Sequence, residues 1–293
     1  MNRFWKLDKQ IDSFDFISSD KLVCSTSNLE GNTWNGSIHM IDIHHDSSNP
    51  SINFELNSGC SKIKSMNSNH DLILTARDDG SIGIHSKFDL SSIKIIDSHD
   101  DIVSSLALDE NDNSIFYSSG WDGFIKYYNI RDEISVICET KAHQGIINDI
   151  QHSNRLNLLA TTGQDGFARI WDGKNISKGC MHIINTEQIS TSLIWNEYSD
   201  NELIIGQEDG CIKNYDIRTN KVISSFSLPT RINKLCVQYD NNQFLWVGTE
   251  GGQIYSILKD TNQNETNLLD FQRFNIDFLK LYILNFNQHL FYS

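Results

Sequence analysis

No apolar run in this sequence approaches the length that crosses a bilayer, no two cysteines stand in a Cys-x-x-Cys pair, and cations are scarce. A spanning helix takes about 20 consecutive apolar residues, so no membrane association is predicted. Residues 1–15 alternate charges without an apolar stretch, and neither a signal peptide nor a transit peptide is expected. Cys24, Cys60, Cys138, Cys180, Cys211 and Cys236 are scattered singly, mostly in strand-like segments. They read as buried, reduced thiols of a cytoplasmic and nuclear protein. Lys and Arg total 24 against 38 Asp and Glu, a net charge of −14. Direct nucleic-acid binding needs clustered cations and is therefore excluded, whereas a basic protein partner would be attracted. Gly-x-Ser-x-Gly, phosphate-loop and His-Glu-x-x-His patterns are all missing, so no enzyme and no cofactor are expected. His44-His45-Asp46 is the one dense set of metal-ligand types. Adjacent side chains of a strand point to opposite faces, and no metal site is predicted there.

What the chain does have is a repeat. Asn35-Gly36, Asp79-Gly80, Asp122-Gly123, Asp165-Gly166, Asp209-Gly210 and Gly251-Gly252 recur every 42 to 44 residues. Glycine supplies the positive φ of a tight hairpin, and the Asp or Asn before it tolerates the same bend. In the best-formed unit an outer strand at 134–139 leads through Lys141-Ala142-His143 to strands at 146–151 and 156–162. The Asp165-Gly166 turn and a last strand at 167–172 complete it. Apolar residues fall on both faces of that last strand, Phe167-Ala168-Arg169-Ile170-Trp171, as they should in a sheet packed between two others. A repeat of this length is the signature of a propeller blade.

These units resemble WD repeats. The resemblance implies a hydrogen-bonded tetrad of a His before the inner strand, a hydroxyl on the middle strand, the turn Asp and the Trp of the third strand. His143, Thr161 or Thr162, Asp165 and Trp171 fit all four places; His99, Ser118 or Ser119 and Asp122 fit three, with Tyr128 for the Trp. Buried polar groups must find partners, and these residues are expected to be structural. The units at 38–42, 82–87 and 212–216 lack the Trp.

The expected fold is all-β, a seven-bladed WD-repeat propeller forming a single domain over residues 1–293. Segments 274–284 and 288–293 read as the inner and middle strands of the seventh blade, with residues 3–7 supplying its outer strand. The third strand of that blade is missing, so the blade is either truncated or genuinely shortened.

Blade one departs from the repeat. From the first apolar residue of the middle strand to the turn glycine most units take eight positions, and blade one takes fourteen, residues 22–36. The excess places Trp34 at the tip of a polar loop, on the same end of the blades as Trp121, which also stands two before a turn glycine. An aromatic of this size buries ~150–250 Å², enough to anchor an interface. The other reading has the indole folded over its own loop or against a neighbouring turn.

Residues 25–37 (Ser-Thr-Ser-Asn-Leu-Glu-Gly-Asn-Thr-Trp-Asn-Gly-Ser), 98–105 (Ser-His-Asp-Asp-Ile-Val-Ser-Ser) and Thr191-Ser192-Leu193-Ile194-Trp195 together resemble the WD-repeat subunits of the arginine methyltransferase methylosome. That resemblance covers the chain from about Leu22 onward. It implies a non-catalytic activating subunit in a hetero-oligomer with a type II, symmetric-dimethylating arginine methyltransferase. Such a subunit helps to engage histones and Sm proteins as basic substrates. It further implies that Trp34 inserts into the methyltransferase, with Thr33 and Asn35 as flanking contacts. The Asn-Thr before the Trp departs from the family. A general WD-repeat scaffold, of a nuclear pore or a ubiquitin ligase, is the alternative.

Overall fold

The structure, a computed structural model, describes residues 7, 9–30, 33–43, 50–66, 71–131, 134–196, 199, 201–237 and 244–258, without the side chains of 29, 30, 33, 244 and 258. The chain divides into two compact units. The first, residues 1–150 with 175–179, holds three antiparallel sheets. In chain order the first sheet is β1 (Gln10–Phe16), β2 (Lys21–Glu30), β3 (Thr33–Asp42) and β4 (Ile52–Leu56). The second is β5 (Cys60–Met66), β6 (Leu72–Arg77), β7 (Ser81–Ser86) and β8 (Ser92–Asp97). The third is β9 (Val103–Leu108), β10 (Ile115–Gly120), β11 (Phe124–Asn129) and β12 (Ser135–Lys141).

The second unit comprises residues 151–174 and 180–293. The division falls within β13 (Ile147–Ser153), whose sheet continues with β14 (Leu158–Gly163), β15 (Phe167–Asp172) and β16 (His182–Asn185). The fifth sheet is β17 (Ser190–Trp195), β18 (Glu202–Gln207), β19 (Cys211–Asp216) and β20 (Lys221–Ser227). The sixth has three described strands, β21 (Ile232–Val237), β22 (Phe244–Thr249) and β23 (Ile254–Leu258). The described residues are thus all-β, built as six blade-like antiparallel sheets where seven blades were expected. The strands assigned to a seventh lie outside the described residues, as does His44-His45-Asp46.

Burial follows position in the sheet. Every residue of β6 and of β10 is buried, whereas the outer strand β8 alternates between exposed and half-buried positions. In the first unit Val23, Ile38 and Leu56 of the first sheet pack with Ile63 and Ile73 of the second. Leu74, Ile82 and Ile84 in turn pack with Val103, Leu106, Phe116 and Tyr128 of the third. In the second unit Ile170 and Ile184 meet Leu193 and Tyr215, and Ile212 and Leu228 meet Ile232 and Val247. Apolar side chains on both faces of a strand are satisfied this way, because each sheet has a neighbour to bury them against. All six cysteines are free; Cys24 and Cys60 are buried and the other four are half-buried.

Two details differ from the sequence expectation. The outer strand expected to open the unit at 134–139 is β12, which pairs with β11 and closes the third sheet. Sequence repeat and sheet are therefore out of step by one strand. Asn35-Gly36, moreover, is not a turn. Gly80, Gly123, Gly166, Gly210 and Gly252 all have φ between +69° and +86°, but Gly36 lies inside β3, paired with Ser27. A Cβ on Gly36 would come within 2.6 Å of the Ser58 carbonyl oxygen and 2.8 Å of that of Thr26, so glycine is needed there for close approach. The ladder runs on to the pair Glu30 and Thr33, and the supposed polar loop is two ten-residue strands. Continued pairing satisfies backbone N–H and C=O groups that a loop would leave to water.

Candidate protein-docking site

The long β2–β3 hairpin carries Trp34 opposite Leu29. The indole is 45% exposed, but it is not free-standing. Its Nε1–H donates to Oδ2 of Asp78, in the turn between β6 and β7, so the ring leans on the second sheet. Gly59, between β4 and β5, lies beneath it: a Cβ there would overlap both Trp34 Nε1 and Asp78 Oδ2. The Asp78 backbone N–H donates to the Gly59 carbonyl at 3.1 Å, which ties the two turns together. Asn35 is half-buried opposite Asn28, and its buried Oδ1 has no hydrogen-bond partner. Thr33 opens β3, and its side chain lies outside those described.

The surroundings of the indole are acidic. Asp12 on β1 accepts from the buried Ser27 hydroxyl at 2.5 Å. Partial removal from water pushes the Asp12 carboxyl up to about 6; the Ser27 hydrogen bond opposes this and the charge of Asp78 adds to it. Burial likewise raises Asp78, against the hydrogen bond from Trp34 and with help from Asp79. From Trp34 and Asp78 the turn surface continues to Gly80, which sits against the His99 carbonyl, and from His99 to Asp122. Trp121, 42% exposed, stands beside Asp122, so two half-exposed indoles frame a run of turns bearing Asp78, Asp79, Asp100, Asp101 and Asp122.

Beneath that surface the third sheet carries a connected polar chain. Asp122 only accepts, so His99 Nδ1–H donates to it at 2.9 Å, while His99 Nε2 meets Ser118 Oγ at 2.6 Å. Ser118 Oγ lies 3.0 Å from the Tyr128 hydroxyl, which also meets Ser98. Ser119 is engaged elsewhere, with Ser104 at 3.0 Å. Burial pushes the Asp122 carboxyl up, but hydrogen bonds from His99, Phe124 N–H and Asp100 N–H outweigh it and hold the group below the usual carboxylate range.

In the fourth sheet Trp171 Nε1–H donates to Thr161 Oγ1 at 3.1 Å, and Thr162 Oγ1 is buried without a partner. Asp165 pairs with Arg169 at 2.8 Å. His143 is buried, with its N–H donating to the Gly123 carbonyl at 3.1 Å; it belongs to the first unit, Asp165 and Trp171 to the second.

Sequence reading missed two residues of this type. His85 Nε2 lies 3.2 Å from Thr75 Oγ1, and His39 Nε2 lies 3.3 Å from Thr26 Oγ1 and 2.9 Å from Ser37 Oγ. In each case the histidine stands two positions beyond the residue paired with the threonine, the place Tyr128 takes relative to Ser118 and Trp171 relative to Thr161. The first two sheets therefore keep the hydroxyl and place histidine where the third and fourth have tyrosine and tryptophan. For His85, counting five residues from the turn glycine would have found it, as it finds Tyr128 and Trp171.

Comparison with known proteins fits this geometry. Residues 90–129 and 135–172 match the family model described as WD domain, G-beta repeat. Each matched stretch opens on the outer strand of one sheet, β8 or β12, and closes on the third strand of the next, β11 or β15. A probable coatomer subunit beta' of Schizosaccharomyces pombe is 24% identical over 173 residues, 57% of this chain and 21% of its own. COMPASS component SWD3 of Saccharomyces cerevisiae is 24% identical over 163 residues, 47% of this chain and 52% of its own. GATOR2 complex protein Wdr24 of Drosophila melanogaster is 27% identical over 136 residues, 42% of this chain and 17% of its own. The match thus spans about half or less of each relative's length. These names point to diverse assemblies; none is that of an enzyme or of a methylosome subunit.

Proposed function

We propose that this chain is a non-catalytic WD-repeat docking subunit that engages a partner polypeptide through the Trp34 hairpin, and that the partner is a type II arginine methyltransferase. The observation that carries the reading is the extended β2–β3 hairpin holding a half-exposed indole at an otherwise regular array of turns. A large aromatic with an accessible face and a fixed edge is the kind of residue that dominates an interface. The methyltransferase follows from the resemblance of residues 25–37, which contain that hairpin's tip. The acidic turns favour basic substrates such as histones and Sm proteins, and the complex acts in the cytoplasm and nucleus. With a purified type II arginine methyltransferase, Trp34→Ala should weaken binding by about 2–4 kcal/mol, thirtyfold or more, with the fold intact by circular dichroism. Wild-type affinity in that variant would refute the anchor. A second reading, a general scaffold of some other assembly, is favoured by the diversity of the relatives' names. It predicts no binding of the methyltransferase by the wild-type chain.

A further inference from the structure

The Trp34 side chain belongs to the first sheet, yet its hydrogen-bonding edge and its floor are supplied by the second and by the link leading to it. Asp78 offers the acceptor, Gly59 leaves the space, and the backbone hydrogen bond between them holds acceptor and floor together. We infer that Asp78 and Gly59 are positioning residues for the Trp34 indole, so that the docking site is composite across two sheets.

The physical argument is one of pre-organisation. An indole on a hairpin tip has two side-chain torsions to fix before a partner can use it, and the cost falls on binding unless it has been met beforehand. A hydrogen bond to a carboxylate is among the stronger ones. It points Nε1 inward at Asp78 and leaves the rest of the ring as the accessible part. Asp12 and Asp79 are the charges that act on the acceptor, and neither hydrogen-bonds the indole among the described residues. This inference rests on the docking reading for its consequence, but the positioning itself is measurable without a partner.

The test uses the full chain labelled with 15N at its six tryptophan indoles, the Trp34 signal being assigned by its loss in Trp34→Phe. In Asp78→Ala the Trp34 Nε1–H should exchange with water roughly tenfold faster or more, the factor for losing a charge-assisted hydrogen bond. Asp78→Asn, which retains an oxygen acceptor, should restore most of the protection. Gly59→Ala should free the same indole without removing the Asp78 side chain, because its Cβ would take the place where Nε1 and Asp78 Oδ2 meet. Unchanged exchange in both Asp78→Ala and Gly59→Ala would overturn the inference. Against the purified methyltransferase, Asp78→Ala should weaken binding about tenfold and Asp78→Asn much less. If Trp34→Ala abolished binding while Asp78→Ala did not alter it, the composite site would be refuted and the anchor would stand. If neither variant altered binding, the docking reading would fail while the indole exchange still decided the positioning.

Discussion

His85 shows how one buried side chain sets a pH limit on the fold. Its Nδ1 lies 3.1 Å from the Leu90 carbonyl, which can only accept, so Nδ1 carries the proton and Nε2 accepts from the Thr75 hydroxyl. The ring is fully buried, and that burial, reinforced by the Arg77 guanidinium and opposed by the Leu90 hydrogen bond, pushes its pKa from 6.5 down to about 4. The unfolded chain therefore binds a proton that the folded chain refuses between those values. Stability is complete above about pH 6.5 and is lost as pH falls toward 4. At about 1.4 kcal/mol per pH unit the loss from this group between pH 7 and pH 4.5 is on the order of 2–3 kcal/mol. Urea unfolding at pH 7 and pH 4.5 should show this difference in the wild-type chain and much less of it in His85→Gln. Equal pH dependence in the two proteins would mean that the imidazole is not the group responsible.

At the scale of the element, the Asp-Gly turns and the strands on either side of them were legible because a three-residue hairpin loop needs a residue of positive φ, glycine, at its end. Five of the six turn glycines have the positive φ that reading requires. The first failed, since Asn35-Gly36 carries the same letters but the flanking residues could extend the ladder, and pairing prevailed over turn propensity. The polar chain of the third sheet was legible in its residues, though the choice of Ser118 over Ser119 awaited the strand register. Asp78 and Gly59 were not legible as neighbours of Trp34, because contact between sheets leaves no periodic mark in the sequence. His99 is the hinge of the third-sheet chain, with both ring nitrogens engaged and its side chain fully buried. Replacing it with Ala removes the imidazole donor to the Asp122 carboxylate and one partner of the Ser118 hydroxyl, and should cost about 2–4 kcal/mol, a charge-assisted and a neutral hydrogen bond together. Ser118→Ala removes one neutral link and should cost about 1–2 kcal/mol. Denaturant midpoints of the two variants would order them, and near-equal values would mean that the chain is not energetically connected through His99.

Over the whole molecule the dominant quantity is the charge of −14, to which the first unit contributes Asp78, Asp79, Asp100, Asp101 and Asp122 on the turns beside both half-exposed indoles. Charge and anchor should act on different steps of association. Long-range attraction gathers a cationic chain before contact and so raises the association rate, whereas a desolvated aromatic holds the complex afterward and lowers the dissociation rate. Ionic strength separates the two, because the screening length shrinks from about 30 Å at 0.01 M to about 10 Å at 0.1 M and about 3 Å at 1 M. For an arginine-rich peptide presented to this chain, as the proposed function requires, the association rate should fall roughly tenfold between 20 mM and 500 mM salt, with dissociation changing little. For the methyltransferase itself, Trp34→Ala should raise the dissociation rate and leave that salt dependence in place. Stopped-flow or surface-capture kinetics would resolve both. A peptide association rate indifferent to salt would show that the negative field of the turns serves solubility and does not steer substrate.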